Sequence, residues 1–210
     1  MIISVINQKG GTGKTTIAIN LTAMISKKQE KQSRVLLVDA DPQETSSDWA
    51  ASRDISPPFD LIQLSKPVLH RDLENMKENY THIIIDCPPR SYEVARSAIM
   101  ASDIVLIPVQ PSGADIWASK EIIELVNECK SFKENQKAAF LISRKISGTA
   151  IGRDIREALA GLGLPVFESC TSQRIAFVES LTAGKTIYEY EPKGQAAKEI
   201  TAIGAELLTL

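Results

Sequence analysis

Lys9, Gly10, Gly11, Thr12, Gly13, Lys14, Thr15 and Thr16 form the run KGGTGKTT, preceded by the apolar stretch IISVI (2–6). Glycines let a backbone wrap a polyphosphate and turn its N–H groups toward the oxygens. A helix starting at the end of the run adds more donors and the positive end of its dipole. In that setting Lys14 meets the β- and γ-phosphates, and the Thr15 hydroxyl ligates Mg²⁺. The general pattern G-x-x-x-x-G-K-[ST] asks for glycine at position 8, where this chain has Gln8, so the loop is a variant. Lys9 has no place in the general scheme, and a loop lysine is ordinarily just solvated.

Two acidic stations follow. VLLVDADPQ puts Asp39 and Asp41 at the C-terminal end of an apolar run, where open α/β sheets bind ligands. Either acid could equally cap the helical pattern that begins near Gln43. HIIIDCPP ends another apolar run on Asp86, a position from which a carboxylate can hold Mg²⁺ through water. Pro88 and Pro89 stiffen what comes next. Lys14 with Thr15, Asp39 with Asp41, and Asp86 thus offer phosphoryl-transfer chemistry from three separate segment ends.

A lysine ahead of the first glycine, KGGxGKTT, resembles the deviant Walker A motif of the ParA/MinD family of ATPases. The resemblance implies that Lys9 reaches across a homodimer interface to ATP held by the other subunit, so that dimerisation depends on ATP. It implies that Asp39 lies near the magnesium and Lys14 (the Walker A′ element), that Asp41 orients the attacking water, and that Asp86 has the Walker B role. Further along, IPVQPSGAD, with Pro108, Pro111 and Asp115, is similar to the family's loop after the next strand. FLISRKI ends the strand whose following loop packs on adenine, which makes Arg144 a candidate there. TSQRIAFVES and AGKTIYEYEPKGQAAKEI are similar to the family's C-terminal helix–loop–helix. With the phosphate loop beginning at residue 8, the chain resembles the short ParA forms without an N-terminal helix-turn-helix.

Behind these motifs stand the elements that must position them. RVLLVDA (34–40), HIIIDC (82–87), DIVLIPV (103–109) and AAFLIS (138–143), like IISVI, are continuous apolar runs. Strands buried on both faces read this way. FDLIQL (59–64) and LPVFES (164–169) are expected at sheet edges. Ile17, Leu21 and Ile25 share one helical face, and further helices are expected near 43–51, 68–79, 91–101, 115–130, 150–161, 174–182 and 194–208. Alternation of this kind predicts an α/β fold, a single P-loop NTPase domain over 1–210 with a mostly parallel twisted sheet and helices on both faces.

Bulk properties narrow the function. Among 210 residues 43% are hydrophobic, which suits one well-buried domain. No segment approaches a membrane span, and MIISVI lacks the charged region of a secretory signal, so a cytoplasmic protein is expected. Cys87, Cys129 and Cys170 are widely spaced and form no C-x-x-C pair, which points to reduced, packed thiols. His70 and His82 stand alone and are read as structural. The net charge of −2 excludes a wholly basic nucleic-acid binder. Residues 130–210 nevertheless hold 11 Lys/Arg against 9 Asp/Glu, while 1–129 hold 13 against 17.

The resemblance implies an ATP-loaded dimer that binds DNA without reading sequence and is released when a ParB-type adaptor stimulates slow hydrolysis, segregating plasmid or chromosomal DNA at the nucleoid. Phosphate contacts suffice for such binding. Candidates in the matching region are Arg153, Arg156, Arg174, Lys185, Lys193 and Lys198, Arg174 foremost. Other readings are an ATPase that positions a protein cargo over the nucleoid, a MinD-like membrane-associated switch, and a metabolic ligase on the same fold. The membrane reading needs a basic amphipathic end, and ITAIGAELLTL has no Lys or Arg after Lys198, so no stable membrane association is expected.

Overall fold

The computed structural model describes residues 1–28, 34–146 and 151–210, with the side chains of Lys28 and of 151–154 outside the described set. In chain order the elements are β1 (Ile2–Val5), α1 (Lys14–Lys28), β2 (Val35–Asp39), α2 (Thr45–Ala51), β3 (Asp60–Gln63), α3 (Leu69–Met76), β4 (His82–Asp86), α4 (Tyr92–Ala101), β5 (Ile104–Val109), α5 (Gly113–Cys129), β6 (Lys137–Lys145), α6 (Ile151–Ala160), β7 (Val166–Ser172), α7 (Ile175–Thr182), α8 (Ile187–Tyr190) and α9 (Gln195–Leu207). Among the described residues the strands form one seven-stranded sheet, order β3-β2-β4-β1-β5-β6-β7, with every pairing parallel.

The continuous apolar runs are explained by what covers the sheet. Successive strand side chains point to opposite faces. Ile2 and Ile6 therefore join one buried cluster, with Leu69, Leu73, Val94, Ile122 and Ile155. Ile3 and Val5 join another, with Ile17, Leu21, Trp49, Phe177, Ile187 and Ile200. The first face carries α3, α4, α5 and α6, and the second carries α1, α2, α7, α8 and α9. The two runs expected at edges, now β3 and β7, are the outer strands.

Two elements differ from the sequence reading. Helix α1 is buried all round from Ile17 to Ile25, not on one face, because α9 and α8 close over its outer side. Helix α8 was not foreseen. Its four residues are too few to show a period, but a reciprocal capping box between Thr186 and Glu189 starts it. Ala196, Ala197, Ile200, Ile203 and Leu207, the apolar face of α9, are buried in the core.

Candidate functional site

β1 lies in the middle of the sheet between β4 and β5, so the loop leaving it emerges at the centre of the sheet's C-terminal edge. Val5 is in register with Asp86, and Asp86 with Asp39. The two acidic stations therefore sit side by side next to the strand that feeds the glycine loop. Backbone bonds tie the row together: Ala40 N–H donates to Asp86 O, and Cys87 N–H to Val5 O.

The loop folds as a phosphate cradle. Gly11 and Gly13 have φ of 78° and 85°, values that favour glycine. Lys14, the first residue of α1, is buried, and its Nζ donates to Lys9 O at 3.0 Å. Burial lowers the Lys14 pKa, while Asp86, Cys87 and Asp41 nearby oppose that shift. Asp86 is fully buried, and burial lifts its pKa to about 7 although hydroxyls of Ser46 and Thr15 stabilise the charged form. Ser46 Oγ donates to Asp86 Oδ2 at 2.9 Å.

Asp39 and Asp41 divide their work. Asp39 Oδ2 accepts from Ser47 N–H at 2.8 Å and from Ser47 Oγ at 2.9 Å. It thus caps the first turn of α2 from a neighbouring strand, so the capping reading holds for Asp39. Glu44, the residue before α2, has φ 56° and gives no side-chain cap of its own. Asp41 accepts from Gln43 N–H at 2.9 Å, a local turn bond, and its side chain is only partly buried.

Lys9 does not share the cradle with Lys14. Its ammonium pairs with Asp115 at 2.5 Å, near the start of α5; the lysine side chain is 39% exposed and the carboxylate 2%. Asp115 also accepts from its helix-capping residue, Ser112.

Buried polar atoms without a partner mark where a ligand fits. Among the described residues four of them surround the loop: Gln8 Nε2, Thr12 Oγ1, Asp86 Oδ1 and Asp115 Oδ1. An unpartnered buried polar group is costly, which makes such a cluster a sign of a missing binding partner. A cavity of about 750 Å³ runs from Gly13 and Thr16 past Arg144 and Gln173 to Phe177 and Leu181, polar at the loop and apolar at α7. That gradient suits a phosphate tail at one end and a base at the other. Thr15, Asp86 and, beside them, Asp39 are the candidates that would hold Mg²⁺, and the Asp39 oxygens already accept from Asp41 N–H and from the Ser47 N–H and hydroxyl. Among the described residues no group of three or more His, Cys, Asp or Glu can hold a metal.

The chain matches the family model described as the CobQ/CobB/MinD/ParA nucleotide binding domain over residues 3–187. It belongs to this family. It is a ParA/MinD-type ATPase, an ATP/Mg²⁺ nucleotide-binding domain with the P-loop NTPase fold. Maintenance of carboxysome distribution protein A of Halothiobacillus neapolitanus is 30% identical over 212 residues, covering 98% of this chain and 95% of that protein. Sporulation initiation inhibitor protein Soj of Bacillus subtilis is 27% identical over 252 residues, covering 98% and 97%. Among solved structures, apo McdA of Cyanothece superposes with a TM-score of 0.80 at 17% identity, over 98% of both chains. The Mg-ADP complex of the septum site-determining protein MinD of Pyrococcus horikoshii superposes at 0.79 and 18%, over 98% and 95%.

The remaining candidates separate. Arg144 lines the cavity, and its Nη1 donates to Gly11 O at 2.9 Å, a contact with the loop that the sequence did not suggest. Arg174 is held by Glu199 at 2.7 Å, and Arg156 donates to the carbonyls of Phe167 and Glu168 on β7. Both charges are engaged within the fold. Lys185, Lys193 and Lys198 are exposed, and no ion pair engages them among the described residues. The Arg153 side chain lies outside the described residues. Asp115, Ser46, Ser47, Gln110 and Ser143 were not given site roles. Except for Ser47, whose partner Asp39 is eight residues away, their partners lie far along the chain, and only IPVQPSGAD offered a local signal for Gln110 and Asp115. His70 bonds Ser97 between α3 and α4, in keeping with a structural role, and the three cysteines form no disulfide.

Proposed function

We propose that this chain is an ATP-driven dimerising switch that rides on nonspecific DNA and positions a cargo through an adaptor. The observation that carries the proposal is the placement of Lys9. A loop ammonium that is partly exposed and held on α5, not on the chain's own phosphate cradle, is available to a nucleotide bound by a second copy. Lys14, the cradle amides and the positive end of α1 neutralise part of an ATP tail. A partner's Lys9 completes that neutralisation and makes association depend on the triphosphate.

Bound Mg²⁺ supplies neutralisation of the charge on the transferring phosphoryl group. Asp86 and Thr15 are its protein-side holders, Asp39 keeps α2 in place, and Asp41 orients water for in-line attack. Positioning and charge stabilisation carry such a reaction. The exposed Lys185, Lys193 and Lys198 supply sequence-independent phosphate contacts to DNA. Two cargo readings stand. Similarity to chromosome partitioning protein ParA of Myxococcus xanthus, 27% identical over 253 residues, favours a DNA replicon as cargo, which a ParB-type adaptor would mark. The near-full-length similarity to a carboxysome distribution protein favours a protein assembly moved over the nucleoid.

Light scattering with a non-hydrolysable ATP analogue, on wild type and Lys9→Ala, tests the switch. A dimer in wild type that is lost in Lys9→Ala supports it. An ATP-loaded wild type that remains one copy at every concentration, with DNA or without, refutes it. Co-sedimentation with DNA but not with anionic vesicles separates the DNA reading from a membrane one.

A further inference from the structure

Three carbonyls of the phosphate loop are held by side chains, and most of those side chains come from other elements. Lys14 Nζ takes Lys9 O at 3.0 Å, and Ser143 Oγ takes Thr12 O at 2.8 Å. Gly11 O is taken twice, by Gln110 Nε2 at 2.6 Å and by Arg144 Nη1 at 2.9 Å. A peptide unit is planar and trans, so its carbonyl and its N–H point in opposite directions. Tying the Gly11 carbonyl outward therefore fixes the direction of the Thr12 N–H, and tying Thr12 O does the same for the Gly13 N–H.

This restraint matters because the 11–12 peptide follows a glycine. Gly11 at φ 78° has no Cβ to resist rotation of the next plane. Among the described residues, no backbone N–H from Gly10 to Thr15 donates to another protein group. These amides keep their direction only through what holds the carbonyls. Two donors fill both lone pairs of Gly11 O and polarise the amide, making Thr12 N–H a better donor.

Arg144 is held in an unusual way. It has φ 52°, a left-handed conformation rarely adopted by arginine. Its own N–H is anchored on Thr171 Oγ1 at 3.1 Å, on neighbouring β7. Strain of this kind, over-determined by its surroundings, is found where a side chain must be aimed. Gln110 follows β5 directly and opens the segment that runs to Asp115, the partner of Lys9.

We propose that Gln110 and Arg144 are positioning residues for nucleotide binding: both hold the Gly11 carbonyl turned away so that the Thr12 N–H faces the phosphates. The proposal rests on the nucleotide-binding reading of the loop and adds two residues that need not touch the phosphates themselves.

The test is titration with a fluorescent ADP analogue and Mg²⁺, together with the melting midpoint of the nucleotide-free protein. Gln110→Met keeps the shape and removes the donor. Gln110→Glu keeps the shape and sets an acceptor against the Gly11 carbonyl. Affinity should fall about fivefold in Gln110→Met and about twentyfold or more in Gln110→Glu, at an unchanged midpoint. Arg144→Met should lose about fivefold, and Arg144→Lys, which retains a donor, should stay within about twofold of wild type.

Wild-type affinity in Gln110→Glu would overturn the proposal. So would equal losses in Met and Glu that track a lowered midpoint, since that marks simple packing. If Gln110→Glu does not fold, the arginine pair decides: equal binding by Arg144→Met, Arg144→Lys and wild type refutes the idea. A wild type that fails to bind the analogue at all would instead remove the nucleotide reading on which this one stands.

Discussion

Asp39, Asp41 and Asp86 share one edge of the sheet but do different work, and the difference can be measured. Asp39 is fully buried and capping α2, so Asp39→Ala should lower the melting midpoint of the free protein as well as its activity. Asp41 makes only a local turn bond. Asp41→Ala should keep the midpoint and ATP binding but slow hydrolysis by about a hundredfold or more, the usual worth of a group that handles the attacking water. Single-turnover phosphate release checks this, and an unaltered rate would move the role to Asp39. Asp86 makes a pH prediction. Its folded pKa of about 7 lies above the ordinary 3.8 because burial disfavours the carboxylate. Between those values the folded chain holds a proton that the unfolded chain has released. Stability of the nucleotide-free protein is therefore greatest below that window and falls as pH rises through it, by up to about 1.4 kcal/mol per unit from this one group. Asp86→Asn should flatten that fall, so thermal melts from pH 5 to 8 should show the variant gaining on wild type toward the alkaline end. A parallel pair of curves would remove Asp86 as the titrating group.

At the scale of elements, the outer edge of the sheet shows how a helix can finish a strand. β7 is an edge strand and would leave N–H groups open. Glu206 of α9 accepts from Glu168 N–H and Ser169 N–H, and Glu199, one heptad earlier on the same face, accepts from Ser172 N–H. The two glutamates act as a side-chain strand. Glu206→Ala should leave the fold intact but raise amide exchange at Glu168 and Ser169 and increase aggregation on warming. Unchanged protection at those amides would show that packing alone holds the edge. The five inner strands were legible because each is a continuous apolar run, the two outer ones because they are mixed runs, and the stations were legible because chemistry sits at the ends of the inner runs. The braces of the phosphate loop were not. Gln110 meets Gly11 across 99 residues and Ser143 meets Thr12 across 131, and no period or spacing in the sequence connects them. Arg174 shows the converse: it stands foremost among the sequence's candidates for DNA contact, and the fold brings Glu199 of α9 alongside to pair with it, which no spacing in the sequence announces.

At the scale of the molecule, if Lys9 serves a second copy as proposed, the Lys9–Asp115 pair sets a threshold for association. For Lys9 to serve a second copy it must leave Asp115, whose side chain is only 2% exposed and whose Oδ1 already lacks a partner. Stripping a buried carboxylate of its cation costs about 3–5 kcal/mol in proteins generally. Ser112 remains as a hydrogen-bond donor to Asp115 and offsets part of that cost. On that reading nothing compensates the rest without ATP, and the pair would keep the resting chain single. With ATP the partner's phosphates offer Lys9 a denser negative charge than one carboxylate. An asparagine at 115 needs no counter-charge and would release Lys9 at little cost. Asp115→Asn should therefore associate with ATP at protein concentrations about tenfold or more below wild type, each tenfold corresponding to about 1.4 kcal/mol, and still not associate without nucleotide. A dilution series followed by light scattering reads this directly. If Asp115→Asn instead needs more protein to associate, then Asp115 supports the associated form, and the resting pair is not what holds the copies apart.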